Sequence, residues 1–214
     1  MQGWSGEYSQ SPLPDAAIDP KLQMGTLSSA GWQYRVSTSG QSKPWRFEND
    51  TLTATVPEKR NSTSWNCYHY QRPIDHGDSW QYEFWSEPGK SIVMPVIGRT
   101  AIHLDAESLE REWLVDKLDA YWLSTEAGKR VAIPKSNKPQ LNQKAWNAIE
   151  LRRDGKDVSI VLNGALAGTF EIEPNQQSYP GLYMPSGIRE FSVRHMTLQG
   201  NWPSALPANL WERN

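Results

Sequence analysis

Two carboxylates flank an indole in an aromatic-rich stretch of the chain, residues 64–104. Within it, the segment 80–87 reads WQYEFWSE. Side chains alternate faces along a β-strand, so Glu83, Trp85 and Glu87 would share one face. An exposed indole can stack on a pyranose ring, while carboxylates accept hydrogen bonds from its hydroxyl groups. The segment therefore indicates a sugar-binding surface, and a solvated strand face with one exposed Trp is the alternative.

Glu83 and Glu87 cannot by themselves form the closely spaced carboxyl pair of a retaining glycosidase. Such enzymes need two carboxyl groups about 5 Å apart, whereas residues four apart on one strand lie about 13 Å apart. A partner must come from a neighbouring strand, and His69 is the candidate because segments 64–72 and 79–86 are expected to pair as an antiparallel hairpin. If the domain is an enzyme, a glycoside hydrolase or polysaccharide lyase, Glu83 and His69 would be its acid and base.

Arginine and histidine residues near the same segment widen the predicted surface. Arg72 ends the expected strand of His69, while Arg99 and His103 come after the strand expected at 91–97. Arginine can bind a uronate or a sulfated sugar through paired hydrogen bonds. Arg72 and Arg99 are therefore predicted to bind the ligand beside Trp85, and four unrelated surface residues are the alternative.

A metal site and several catalytic classes have little support in the chain. The sequence DHGD at 75–78 could lend oxygen ligands to a structural calcium ion, but it is short, lacks EF-hand spacing and fits a turn better. We otherwise expect no cofactor. Cys67 is the single cysteine, which excludes an internal disulfide and a cysteine-rich metal site. His-Glu-x-x-His, Gly-x-Ser-x-Gly and phosphate-loop motifs do not occur, which argues against zincin, serine-hydrolase and nucleotide sites.

Charge and composition limit the expected partners. The 214 residues carry a net charge of −2, with both signs interspersed, so nucleic acid is not an expected partner. The one dense basic pair, Arg152-Arg153, is interpreted as a solvated strand edge. No apolar run is long enough to span a membrane, so no membrane partner is expected. Eleven Trp residues are many for this length, and we expect most in the core and two or three on a binding face.

Short alternating segments separated by turn residues predict about twelve β-strands and little helix. The last third is the clearest, with Asp154-Gly155 and Asn163-Gly164 as hairpin turns between three strands within 146–172. Residues 105–119 fit a helix or a strand, and a turn at 105–108 followed by a strand is favoured because the surroundings are β. A short strand at 121–124 and a long loop at 125–142 follow.

The whole pattern is typical of an all-β fold, a two-sheet antiparallel β-sandwich of the jelly-roll type. We expect an extended N-terminal arm at 1–30, one sandwich domain at 31–203 and a C-terminal tail at 204–214. The residues do not indicate an oligomeric state.

Several motifs carry a resemblance to known families. The order of Trp146-Asn147, Leu162-Asn163-Gly164, Gly181-Leu182 and a final strand at 193–198 resembles the second half of concanavalin A-like (laminin G-like) jelly rolls. A closer resemblance is to a domain family of unknown function found in large planctomycete proteins. It spans residues 45–207 and depends on four motifs: HYQRP at 69–73, YEF with EPG at 82–89, EWL at 112–114 and GNWP at 200–203.

The resemblance implies a fold and a range of functions. Concanavalin A-like domains include lectins, carbohydrate-binding modules, glycoside hydrolases and polysaccharide lyases, so the fold does not select one function. The Glu-x-Asp-x-x-Glu strand of laminarinase-type hydrolases is missing from this chain. Trp113 joins the predicted binding residues because the resemblance places its segment near the centre of a sheet.

We therefore expect a carbohydrate-binding domain that takes a poly- or oligosaccharide. It would belong to a larger protein that is exported by a bacterium or displayed on its surface. The first residues lack the basic and apolar regions of a signal peptide, so no such peptide is expected within this chain. A glycan-cleaving enzyme on the same fold is the first alternative, and a protein-interaction module is the second.

Overall fold

The computed structural model describes residues 25–26, 32–36, 45–48, 51–55, 66–70, 72–87, 92–105, 108–114, 129–134, 140–172, 178–184 and 190–200. Within these ranges the chain forms two antiparallel sheets and no helix. The described residues therefore contain no membrane-spanning helix. The expected all-β sandwich is confirmed. Most of the predicted arm, the predicted tail and the strand expected at 121–124 lie outside the described residues.

The eight-stranded sheet is built around β6 (Ser79–Ser86). This strand pairs with β11 (Ala145–Asp154) on one side and with β15 (Glu190–Gln199) on the other. The remaining strands of this sheet, with labels in chain order, are β1 (Gly25–Thr26), β3 (Trp45–Glu48), β4 (Thr51–Thr55), β12 (Asp157–Leu162) and β13 (Ala165–Glu171). The sheet runs β13-β12-β11-β6-β15-β4-β3, and β1 also pairs with β15. The segment that carries Glu83 and Trp85 is therefore central.

Seven strands form the other sheet. In spatial order they are β10 (Arg130–Ala132), β9 (Leu109–Trp113), β8 (Thr100–Leu104), β7 (Met94–Ile97), β14 (Pro180–Met184), β5 (Asn66–Tyr70) and β2 (Trp32–Val36). The strand expected after residue 108 is confirmed as β9, while residues 106–107 of the expected turn lie outside the described residues. The long loop expected at 125–142 is wrong in part, because β10 lies within it and forms an edge of the sheet.

The side chains of β6 alternate strictly between the two faces of the sheet, and those on the inner face fill the space between the two sheets. Trp80, Tyr82 and Phe84 are fully buried, and the ring centroids of consecutive members lie 4.9 and 6.1 Å apart. Burying one such side chain contributes about 1.5–3 kcal/mol. Because three large rings point inward, the side chains between them must point outward. The packing of these three rings in the core therefore determines which residues of β6 point to the outer face of the sheet.

The hairpin expected between segments 64–72 and 79–86 is wrong. β5 lies in the seven-stranded sheet and β6 in the eight-stranded sheet, so the chain crosses between sheets in the connection 72–78. Ile74 is fully buried there, and its carbonyl oxygen accepts a hydrogen bond of 2.6 Å from Arg153 Nη1. The same guanidinium nitrogen donates to Ser178 Oγ at 2.6 Å. Arg153, expected to be a solvated strand-edge residue, instead holds the crossing in place.

Two asparagines explain why the WN and LNG motifs occur together. Asn147 is fully buried, and its side-chain amide donates to the carbonyl oxygens of Asn142 and Ala145. Its Oδ1 accepts from the Asn142 N–H and from Asn163 Nδ2, at 2.7 and 2.9 Å. Asn163 has a φ of +49°, as its place in a hairpin turn requires. The motifs that carry the family resemblance are therefore structural at these positions.

Candidate functional site

The outer face of the eight-stranded sheet carries a cross-strand pair of indoles. Trp85 of β6 lies directly opposite Trp146 of β11. Their ring centroids are 5.7 Å apart in an edge-to-face arrangement, which is a favourable geometry for aromatic pairs. Trp85 is 36 % exposed and is one of the exposed large hydrophobic residues in the described part of the chain. The pair gives this face an apolar platform.

A guanidinium group continues the platform toward the neighbouring strand. Arg194 of β15 pairs in register with Glu83. Its guanidinium carbon lies 4.0 Å from the centroid of the Trp146 ring, within the range of a cation–π contact. Its Nε donates to Glu83 Oε2 at 2.7 Å. Arg194 therefore covers Trp146 and leaves Trp85 as the more accessible ring.

A β-bulge in β15 supplies a second basic side chain to the same carboxylate. The register between β15 and β6 shifts between Arg194 and Thr197. His195 has a φ of +52° and is exposed, although Arg194 before it already points outward. His195 Nδ1 lies 3.3 Å from Glu83 Oε1. Bulges often redirect a side chain in this way, and here two consecutive residues face one carboxylate.

The surroundings of Glu83 favour its ionised form. Partial burial raises the pKa of the Glu83 carboxyl, but the hydrogen bonds from Arg194 and His195, together with their charges, lower it by more. The net result is a pKa below the ordinary value of 4.5. At neutral pH the group is a carboxylate that can accept hydrogen bonds but has no proton to donate.

The second carboxylate of the segment turns toward the exposed indole. Glu87 lies just beyond the end of β6, and its Oε1 accepts a hydrogen bond of 3.0 Å from Trp85 Nε1. This bond satisfies the polar edge of the indole and orients the ring. Glu83, Trp85 and Glu87 therefore do share the outer face that their spacing predicts. Below, the set Glu83, Trp85, Glu87, Trp146, Arg194 and His195 is called the Trp85 face.

His69 lies on the opposite side of the molecule from Glu83. By alternation along β5, Tyr68 and Tyr70 pack against the inter-sheet core, so His69 points to the outer face of the seven-stranded sheet. Its Nε2 lies 2.7 Å from the carbonyl oxygen of Gly98. The expected acid–base pair of Glu83 and His69 is not formed, because the two strands belong to different sheets.

The other predicted binding residues also lie away from the Trp85 face. Arg72 is buried in the crossing between the sheets, where desolvation lowers its pKa and the charge of Asp78 opposes that effect. Arg99 is in the turn between β7 and β8. Trp113 ends β9, which is next to the edge of its sheet, not at its centre. The structure therefore does not bring these three residues together with Trp85.

The family of the chain follows from a match that covers more than half of it. Residues 59–205 match the family DUF1583_N, described as a domain of unknown function. The chain belongs to the DUF1583_N family. This confirms the expectation of a domain family of unknown function, while the planctomycete source stays a prediction. No curated protein sequence matches the chain.

Among solved structures, this DUF1583_N domain is similar to the carbohydrate binding module CBM66 from Bacillus subtilis. The TM-score is 0.53 at 8 % identity, over 79 % of this chain and 96 % of the module. A proposed glycosyl hydrolase from Parabacteroides distasonis gives 0.51 at 9 % identity, over 83 % and 91 % of the two chains. The lumenal domain of VIP36 in its Ca2+/Man3GlcNAc-bound form gives 0.49 at 9 % identity, over 84 % and 86 %. At identities this low, the likeness to the first two structures, with TM-scores above 0.5, establishes the fold alone.

Trp146, Arg194 and His195 were not among the predicted site residues. Trp146 could have been found, because alternation with the buried Asn147 and Ile149 places it on the outer face of β11. The pairing of β15 with β6 and the bulge that turns His195 outward have no comparable local signal. These two features depend on contacts between residues about 110 positions apart.

The segment considered for calcium binding forms a turn. Asp78 is buried, and its Oδ2 accepts a hydrogen bond of 2.9 Å from the Asp75 N–H. Gly200 of the GNWP motif packs so closely on the Asp78 side chain that a Cβ atom there would overlap it. Among the described residues, no three His, Cys, Asp or Glu side chains are grouped to hold a metal ion. Structural calcium remains an expectation from sequence.

Proposed function

We propose that this domain binds a neutral poly- or oligosaccharide on the Trp85 face. The observation that carries the proposal is the exposed Trp85 ring, set beside Trp146 and between two carboxylates that accept hydrogen bonds. An aromatic ring offers an apolar surface to the C–H face of a pyranose, and oriented carboxylates select its hydroxyl groups. The likeness in fold to a carbohydrate binding module supports the proposal.

A neutral sugar fits the charges of this face better than an anionic one. The two basic side chains nearest the platform, Arg194 and His195, are both directed at Glu83. The arginines expected to bind a uronate or a sulfate, Arg72 and Arg99, lie elsewhere in the fold. An anionic ligand would meet Glu83 and Glu87 without a basic partner of its own. We therefore expect uronate-containing and sulfated glycans to bind more weakly than neutral ones.

Binding fits the geometry of the Trp85 face better than cleavage of a glycan. General acid catalysis needs a carboxyl group that holds its proton near neutral pH, whereas Glu83 is held ionised. Across β11 its register partner is Ala148, and across β15 it is Arg194. Neither neighbour supplies a second carboxyl group. A glycan-cleaving enzyme remains the alternative that the experiment below must be able to detect.

The proposal is tested by glycan-array screening of the full chain, followed by calorimetry with the best neutral ligand. Trp85→Ala should weaken binding by at least about tenfold. Gln81→Ala is the matched control, because Gln81 lies on the same face of β6 about 13 Å farther along the strand. Equal affinities of wild type and Trp85→Ala would overturn the proposal.

The alternative functions have their own readouts. Release of reducing ends or unsaturated products that disappears in Glu83→Gln would identify a glycan-cleaving enzyme instead. A protein captured in the absence of any glycan signal, and lost in Trp85→Ala, would identify a protein-interaction module. The location in a larger exported or surface-displayed bacterial protein is also proposed, on the grounds that such a domain meets polysaccharides outside the cell.

A further inference from the structure

A second polar cluster lies on the outer face of the seven-stranded sheet. It consists of His103 on β8, Glu112 on β9, Arg130 on β10 and Tyr183 on β14, and is called the His103 cluster below. Ile102 and Leu104 belong to the inter-sheet core, so alternation turns His103 to the other side of the sheet. The Trp85 face and the His103 cluster are therefore on opposite sides of the sandwich.

A carboxylate fixes which nitrogen of His103 carries the proton. His103 Nε2 lies 2.7 Å from Glu112 Oε2, and Arg130 Nε lies 3.7 Å from the same oxygen. An ionised carboxylate can only accept hydrogen bonds, so Nε2 is the donor. In a neutral imidazole the other nitrogen, Nδ1, is then an acceptor with a free lone pair. The same carboxylate–imidazole arrangement orients the base of a catalytic triad.

The acceptor nitrogen is buried and makes no hydrogen bond to any residue that the structure describes. His103 is 1 % exposed, and its Nδ1 has no partner there. Buried polar side-chain atoms nearly always have a partner. Glu112 and Arg130 engage the Nε2 side of the ring, so neither satisfies Nδ1. A hydroxyl group that donates to Nδ1 would complete the cluster.

Tyr183 holds the imidazole from the side. Its ring packs edge-on against His103 with the centroids 5.9 Å apart. Burial raises the pKa of the Tyr183 hydroxyl, and the nearby charge of Glu112 raises it further. The phenol therefore keeps its proton, and the edge-on packing of its ring fixes the orientation of the His103 imidazole.

We propose that the His103 cluster is a second ligand site, in which His103 Nδ1 accepts a hydrogen bond from a hydroxyl group of a polyol such as a sugar. Glu112 is a positioning residue, since it acts on the ligand through His103. The site is independent of the Trp85 face. A permanently buried water molecule would satisfy Nδ1 equally well, so the experiment must separate a water from a ligand.

The test is nitrogen-15 NMR of the imidazole groups in the full chain, with His103 assigned by comparison with His103→Gln. We expect Nε2 to be protonated and Nδ1 to be an acceptor. Cellohexaose, xylohexaose and mannohexaose are added separately, and at least one should shift the Nδ1 resonance in a saturable way. A proton on Nδ1 would overturn the proposal. A resonance that no probe moves would overturn it too, and would identify a structural water.

Variants separate this site from the first one. Glu112→Ala should remove the preference for a protonated His103 Nε2. It should also weaken the binding of the oligosaccharide by about tenfold. Glu110→Ala is the matched control, because Glu110 lies opposite His103 on the same strand as Glu112. Trp85→Ala should leave the His103 shift unchanged. If Glu112→Ala changes neither the tautomer nor the affinity, Glu112 has no positioning role.

Discussion

Glu83 accepts a hydrogen bond from Arg194, and the imidazole of the next residue, His195, lies 3.3 Å from its other carboxylate oxygen. The pairing holds the carboxyl ionised and also ties Arg194 to the Trp146 ring. A planar guanidinium can donate in one direction while stacking in another, which an ammonium group cannot do. The side-chain chemistry of Arg194, and not its charge alone, therefore maintains the Trp85 face.

Arg194→Lys should destabilise the domain by about 1 kcal/mol despite keeping the charge. Lysine loses both the stacking on Trp146 and the oriented Nε–H bond to Glu83. Arg152→Lys is the control, because Arg152 pairs with Glu150 on the same sheet face at an exposed position. Urea unfolding of the three proteins measures the difference. Equal losses in the two variants would contradict a special role for the stacked guanidinium.

The lowered pKa of Glu83 predicts a pH-dependent stability. The folded-state pKa is below 4.5, so the stabilisation is present above the ordinary glutamate pKa and is lost as pH falls through the folded-state value. Glu83→Gln should therefore cost about 1 kcal/mol near neutral pH, and the difference from wild type should shrink in acid. Unfolding curves measured at several pH values check this. If the difference in free energy of unfolding between wild type and Glu83→Gln grew as the pH fell, the prediction would be contradicted.

At the scale of elements, the bulge in β15 brings His195 to the outer face through a backbone conformation that is costly for a residue with a Cβ atom. His195→Gly and His195→Ala both remove the contact with Glu83. The glycine variant should be more stable by about 1 kcal/mol, since only alanine keeps the strain of a positive φ. Chemical denaturation of the pair measures the difference. Equal stabilities would mean that the bulge carries no strain.

The junction of β11 with the β12–β13 turn depends on the buried Asn147. Asn147→Ala should cost about 2–4 kcal/mol, because it removes several hydrogen bonds and leaves buried partners unsatisfied. Asn142→Ala is the matched control, since Asn142 bonds to Asn147 through its main-chain N–H and C=O. It should stay within about 0.5 kcal/mol of wild type. A mild effect of Asn147→Ala in thermal unfolding would contradict the structural reading of the WN motif.

At the scale of the whole molecule, two layers of strands separate the Trp85 face from the His103 cluster. Stacked sheets lie about 10 Å apart, and both groups point away from the core between them. Trp85→Ala and Glu112→Ala should therefore have additive effects on the free energy of unfolding, within about 0.5 kcal/mol in the double variant. Urea unfolding of the four proteins tests this. A coupling well above that value would show that the core transmits strain between the faces.

Local pattern was sufficient for much of the fold. The alternation of Trp80, Tyr82 and Phe84 with Glu83 and Trp85 predicts which side chains are buried, because the period of a strand is fixed by its geometry. The Asp154-Gly155 and Asn163-Gly164 turns were predictable for a similar reason, since their backbone shape needs those residue types. The outward direction of Trp146 could be derived in the same way.

The sequence by itself determined that the chain is a β-sandwich and that Glu83, Trp85 and Glu87 share an outer face. Only the tertiary structure decided which residues surround that face. Alternation says which side of a strand a residue occupies, but not which strand lies next to it or in which sheet. The local pattern was compatible with a hairpin between the strand of His69 and β6, but the structure places His69 in the other sheet. Arg194 and His195 take its place, because strand order and the bulge are set by contacts far apart along the chain.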